Sequence, residues 1–162
     1  GSEMCIRDSR YAGIMDALSE ANVPVSNVRQ IDYHTVFGSP VPSTSSYKSY
    51  EELFFPVDYT AVIGFNDLQS YSAMEILKER GYRIPEDISL ISFDHLRKTH
   101  TYLPPLTSIA DNTDKSIADT AVSILLDKIK NSDSKFTGAV LPVTIYDGHT
   151  TGPVNKAFET SF

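Results

Sequence analysis

Two polar side chains in this 162-residue chain stand directly behind apolar runs: Asn66 follows AVIGF and Asp94 follows ISLISF. An amide and a carboxylate at the ends of two neighbouring strands bring donors and acceptors to one edge of a sheet, a combination that suits the vicinal hydroxyls of a sugar. Open α/β sheets place their ligands at the carboxyl ends of their strands. Asp94 is therefore read as a ligand contact, with a turn cap as the plainer alternative. Asp67 is placed to cap the helix that follows it. Arg10 carries a planar fork of donors that could clamp the same ligand, although a lone arginine near a helix start also fits a surface charge.

Bond-making chemistry finds no matching pattern. The four histidines are His34, His95, His100 and His149, and none has the spacing of a metal pair. His95, beside Asp94, is read as a pocket-rim residue and the other three as solvated or structural. There is no G-x-S-x-G elbow, and Gly64, Gly81 and Gly138 stand singly instead of forming a phosphate loop. The reading is a small-molecule binder and not an enzyme, with no metal or cofactor.

The elements that must position these residues follow from hydrophobic periodicity. Residues 10–21 have helical spacing, with Tyr11, Ile14, Met15, Leu18 and Ala21 on one face. Residues 28–33 are a short strand candidate, and residues 35–48 are a loop rich in Ser, Pro and Thr, of a length common among binding loops. Residues 61–65 are almost wholly apolar, as expected of a central parallel strand buried on both faces. A helix over 68–80 closes at Gly81, and a strand over 88–93, a loop over 94–105 and an extended piece over 106–110 follow. Residues 114–131 form the clearest amphipathic helix, with Ile117, Ala118, Ala121, Val122, Leu125, Leu126 and Ile129 on its apolar face. Residues 140–146 are a final strand, and residues 147–162 read as a tail. Alternating strands and helices imply an α/β fold, a parallel sheet flanked by helices.

Composition limits the partners. The formal charge is −7, and with no cluster of Lys and Arg the footprint of a nucleic-acid surface is missing. No apolar run approaches the roughly 20 residues a spanning helix needs, so no membrane partner is expected. The stretch SEMCIRDS reads as a translated sequencing adapter, so residues 1–9 are set aside as an artefact, and with them Cys5, the single cysteine. Disulfides and thiolate chemistry then have no basis in the remainder, which fits a cytoplasmic protein.

Several motifs together resemble the effector-binding domain of bacterial transcriptional regulators of the lactose and galactose repressor family. They are RYAGIMDAL from Arg10, TAVIGFNDLQSYSAMEILKERGYRIPEDISLISFDH from Thr60 to His95, YLPPLTSI from Tyr102, SIADTAVSILLDKI, and LPVTIYDGHTT. They cover nearly all of residues 10–151. The resemblance implies a fold like that of periplasmic sugar-binding proteins, two α/β lobes joined by crossing strands. Residues 10–105 would be mainly the carboxyl-side lobe, 106–139 a crossover and a helix of the other lobe, 140–151 a return strand, and 152–162 a tail. The helix over 114–131 would then lack the natural cover of its apolar face.

The same resemblance implies the partners and the site. It implies a small-molecule effector, a sugar or a related compound, a homodimer in the cytoplasm, and operator DNA contacted only through an amino-terminal domain outside this chain. By position, the effector contacts fall on Arg10, Asn66 and Asp94, with Phe37 as a ring-stacking candidate. Tyr71 and Tyr102 fall at the dimer interface, or serve simple packing. Departures from the family pattern are Ser92 and Ala118 where glycines are usual, His95 where an acidic residue is usual, and His149 where an arginine is usual. A periplasmic sugar-binding protein of a transport system is the alternative, distinguished by a signal peptide in place of a DNA-reading helix-turn-helix.

Overall fold

The computed structural model of the chain describes residues 2–31, 51–96, 104–111, 116–131 and 138–155. Among these residues, three long helices, α1 (Ser2–Glu20), α2 (Asp67–Glu79) and α3 (Ile117–Lys130), accompany four strands, β1 (Ala61–Ile63), β2 (Ser89–Phe93), β3 (Thr107–Asp111) and β4 (Val143–Tyr146). The strands form one sheet in the order β1-β2-β3-β4. β1, β2 and β3 run parallel, with Val62 opposite Leu90 and Ser92 opposite Ser108. β4 returns antiparallel on β3, pairing Tyr146 with Ser108 and Val143 with Asp111. The α/β sheet expected from the sequence is present, closed on one side by an antiparallel edge strand.

α2 forms because its sequence marks both ends and one face. Asn66 is the N-cap, its Oδ1 accepting from Gln69 N–H at 2.9 Å, and Gly81 closes the helix with φ +87° while Tyr82 N–H reaches back to Leu77 O. Between these ends Ser70, Tyr71, Ala73, Met74, Ile76 and Leu77 are buried. Of these, Tyr71, Ala73, Met74 and Ile76 pack with Phe54, Leu90 and Leu106. Met74, Ile76 and Leu77 are essentially fully buried, each worth roughly 1.5–3 kcal/mol of apolar transfer. This layer is the core among the described residues.

The strand expected over 28–33 is not formed in its described part. Residues 28–31 follow a 3-10 turn at Val25–Asn27 and enter no ladder. Instead Arg29 donates to the carbonyls of Phe54 and Pro56 and lies over the Tyr59 ring, while Ile31 packs against the core. A strand exists through its ladder partners, and here side-chain contacts replace them. Tyr59 is driven up to about 12, mainly by burial of its hydroxyl.

β1 also differs from expectation. It is three residues long and, among the described residues, occupies the sheet edge, with Ala61 and Ile63 exposed and Val62 partly buried. β2 and β3 are buried more deeply, and in β2 Leu90 and Ser92 face inward. α1 starts at Ser2, ahead of the expected residue 10 and within the stretch read as adapter-derived.

The segment after β4, expected as a tail, is tied to the sheet through one buried residue. Thr150 is 1% exposed; its Oγ1 donates to Leu90 O at 2.7 Å and accepts from Thr107 N–H at 2.9 Å, while its carbonyl accepts from Leu90 N–H at 2.6 Å. One threonine thus bridges β2 and β3. Gly148 lies so close to the backbone that an added Cβ would stand 2.3 Å from Leu106 C, so only glycine fits there.

Candidate functional site

The carboxyl ends of β1 and β2 carry the residues expected to meet a ligand. Asp94 ends β2 with φ +96°, and His95 follows with φ +47°. Two successive left-handed residues that are not glycine are costly, and they turn the chain sharply at the sheet edge. Arg10 comes to this edge from α1. Its Nη2 donates to Asp94 Oδ1 at 2.7 Å and its Nη1 to Phe65 O at 2.5 Å. The guanidinium carbon also stands 4.9 Å from the Phe65 ring centre and 4.7 Å from that of Phe93, within the range of cation–π attraction.

Arg10 is therefore held by a carboxylate, a carbonyl and two aromatic rings. The ion pair is partly solvated, with side chains 25% and 38% exposed, and such pairs contribute only about 0–1 kcal/mol to stability. The arrangement is better suited to presenting polar atoms than to holding the fold together. Asp94 Oδ2 has no hydrogen-bond partner among the described residues.

Arg10, Phe93 and Asp94 form one wall of a cleft of about 660 Å³. Ile109, Ala110 and Asp111 of β3 and Ile117, Thr120, Ala121 and Ile124 of α3 line the same cleft. Thr120 Oγ1 is buried without a hydrogen-bond partner among the described residues. An apolar cleft with a few convergent polar atoms is the usual form of a small-molecule site.

The other expected site residues are placed differently. Asn66 sits at the end of β1, but its Oδ1 is committed to capping α2, which leaves its Nδ2 as the group available to a ligand. The cap expected at Asp67 is thus supplied by Asn66. The Asp67 carboxylate instead accepts from Leu96 N–H at 2.5 Å and Ser108 Oγ–H at 2.9 Å, and the residue is 3% exposed. Asn66 caps because it has extended backbone angles, whereas Asp67 is already helical.

His95 does not line the cleft; its ring stacks on Tyr146 of β4 at 3.8 Å and 8°. Tyr71 is 5% exposed and sits in the core, its hydroxyl donating to Pro104 O at 3.3 Å. That leaves almost no area for a second subunit, so the packing reading accounts for it. Phe37, Tyr102, His34 and His100 lie outside the described residues. Sequence reasoning missed Phe65 and Phe93, although both immediately precede the polar strand-end residues, and Thr120, although it falls on the apolar stripe of α3.

Residues 2–151 match the periplasmic binding protein-like domain. The chain belongs to that family. Within it, the chain is 37% identical over 123 residues to the HTH-type transcriptional repressor PurR of Aliivibrio salmonicida, covering 75% of this chain and 35% of that protein. The repressor of the same name from Mannheimia succiniciproducens is 31% identical over 127 residues, covering 78% of this chain and 36% of that protein. The chain thus spans about a third of the length of these relatives.

Among solved structures, a LacI family transcriptional regulator from Enterococcus faecium with bound ribose superposes with a TM-score of 0.74 at 23% identity, over 91% of this chain and 52% of that one. The regulator CcpA of Lactococcus lactis does so with 0.65 at 22% identity, over 90% and 51%. These likenesses show the fold. The family's members here are regulators of the kind the sequence motifs resemble. No helix among the described residues is long and apolar enough to cross a membrane.

Proposed function

We propose that the chain is the greater part of one lobe, with crossing elements of the other, of an effector-sensing domain in a DNA-binding transcriptional regulator. Its effector is a small polyhydroxylated molecule of the sugar class. The observation that carries this reading is the Arg10–Asp94 pair, seated between Phe65 and Phe93 at the carboxyl edge of the sheet and opening onto the cleft. A guanidinium and a carboxylate side by side offer donors and acceptors to adjacent hydroxyls, while flanking aromatic rings pack on the apolar face of a sugar ring. The Asn66 amide and Thr120 Oγ1 would add polar contacts from the rim and the opposite wall.

The regulator reading rests on the relatives, which are transcriptional repressors. Operator DNA would be bound by a separate amino-terminal domain of a cytoplasmic homodimer, and ligand would act by changing the geometry between two lobes. The test is calorimetric titration of the full-length protein with D-ribose, cellobiose and purine bases, followed by operator-binding assays with and without the compound that binds. The reading expects D-ribose or cellobiose to bind and to shift operator affinity; binding of a purine base alone would overturn the sugar class. Sugar binding without any DNA affinity would favour a transport-associated binding protein instead.

A further inference from the structure

We propose that Asp67 is a positioning residue for Asp94, holding the loop that presents the ligand-facing carboxylate. This deepens the function proposed above and rests on it.

Asp94 and His95 both adopt left-handed backbone angles, +96° and +47°, a conformation that costs of order 1–3 kcal/mol per strained residue and persists only where the surroundings impose it. Three consecutive amides are pinned here. Asp94 N–H donates to Ile109 O at 2.9 Å, His95 N–H to Ser108 Oγ at 3.0 Å, and Leu96 N–H to Asp67 Oδ2 at 2.5 Å. Ser108 Oγ–H in turn donates to Asp67 Oδ1 at 2.9 Å. The single Ser108 hydroxyl proton points to Asp67, and its lone pair is thereby left for His95 N–H. One buried carboxylate therefore fixes two of the three amides, one directly and one through Ser108.

The chemistry explains why this position holds an aspartate. Both contacts are accepted hydrogen bonds, and a carboxylate accepts at both oxygens. Asp67 also stands in the first turn of α2, where the helix dipole favours negative charge. An asparagine could accept at one oxygen only, and its amide would meet a donor, either Leu96 N–H or Ser108 Oγ–H. The loop would then lose one tether and relax toward ordinary backbone angles, carrying Asp94 away from Arg10.

The experiment uses the full-length protein, its Asp67→Asn variant and the double variant Asp67→Asn/His95→Gly. Amide exchange is measured at residues 94–96 and, as an internal reference, at Met74 and Leu77 of α2, and binding is measured with D-ribose as probe. The expected result is exchange roughly tenfold faster at His95 and Leu96, the loss of a typical charge-assisted bond, with α2 unchanged. D-ribose affinity should fall by about the same factor and recover in part with His95→Gly, because glycine takes the left-handed conformation without strain.

Loop amides as protected in Asp67→Asn as in the parent would overturn the proposal. So would a loosened loop with unchanged probe affinity, or loss that spreads through α2 and is not rescued by glycine. If the parent binds neither D-ribose nor cellobiose, sugar sensing fails as the reading of the site, and the exchange rates alone still decide whether Asp67 holds the loop.

Discussion

α2 and α3 are nearly equal in length and meet opposite fates. α2 buries seven of its side chains, Asp67 among them, although its amphipathic pattern is interrupted by serines. α3 has the cleaner apolar stripe and buries none. Ile117, Val122, Leu125, Leu126 and Ile129 are between 49% and 69% exposed. Amphipathic patterning states which face should be covered, but burial requires a partner. The α2 half has one in β2, whereas among the described residues the stripe on α3 has none. The cleft beside Arg10 and Asp94 lies between these halves, lined by residues of β2 and β3 on one side and of α3 on the other.

The contrast can be broken most directly by truncating each helix at its stripe. Leu77→Ala should cost about 3 kcal/mol, because a fully buried leucine leaves a cavity. Leu125→Ala, at 58% exposure, should change stability by no more than about 0.5 kcal/mol. Urea denaturation of this chain measures both, and equal costs would show that the α3 stripe is covered. Thr150→Val tests the tie that completes the first half. It should cost about 2 kcal/mol by leaving Thr107 N–H and Leu90 O with a lost partner in a dry site, and a neutral result would show that water replaces the hydroxyl.

A smaller effect sharpens the comparison on the exposed α3 face. Leu125→Lys together with Ile129→Lys should lower the fluorescence of a bound hydrophobic dye without shifting the unfolding midpoint appreciably, since a large exposed apolar patch is what such dyes bind. An unchanged dye signal would place the binding elsewhere.

The smallest effect concerns Asp87. Its hydrogen bond from the Arg83 side chain holds the carboxyl at about 2, below its ordinary 3.8. A depressed folded value means that the contribution is complete above about 4 and is lost as pH falls toward 2. Because Arg83 is exposed and the pair stays solvated on that side, Asp87→Asn should flatten the acid limb of the stability profile, by an effect that solvent screening keeps small. Equal acid limbs in parent and variant would contradict the assignment.

Much of the fold was legible because local signals and tertiary packing agree. Asn66 and Gly81 bracket α2, and the apolar run before Asp94 becomes the central strand. β1 was misjudged because an apolar run does not say whether a strand lies at the centre or the edge. That depends on which strands flank it. Residues 28–31 were misjudged for a related reason, since Arg29 ties the segment by side-chain bonds that leave no trace in a period-two pattern.

At the site, Arg10 and Asp94, each singled out in the sequence as a ligand contact, pair with each other across 84 residues, a contact that no local pattern shows. The roles of Asp67, Ser108 and Thr150 were illegible because buried polar networks depend on distant partners, 41 residues apart for Asp67 and Ser108 and 60 for Thr150 and Leu90. Asp67 carries an ordinary capping signature in sequence, and only three-dimensional contact shows that its neighbour caps.

The most direct test of the account is calorimetric titration of the full-length protein and its Asp94→Ala variant with whichever sugar the parent binds. The account predicts that affinity falls by at least about tenfold, the loss expected when a charged hydrogen-bonding partner is removed, while the unfolding midpoint stays within a few degrees of the parent. Unaltered affinity in the folded variant would contradict the claim that the carboxylate ending β2 is a wall of the ligand site.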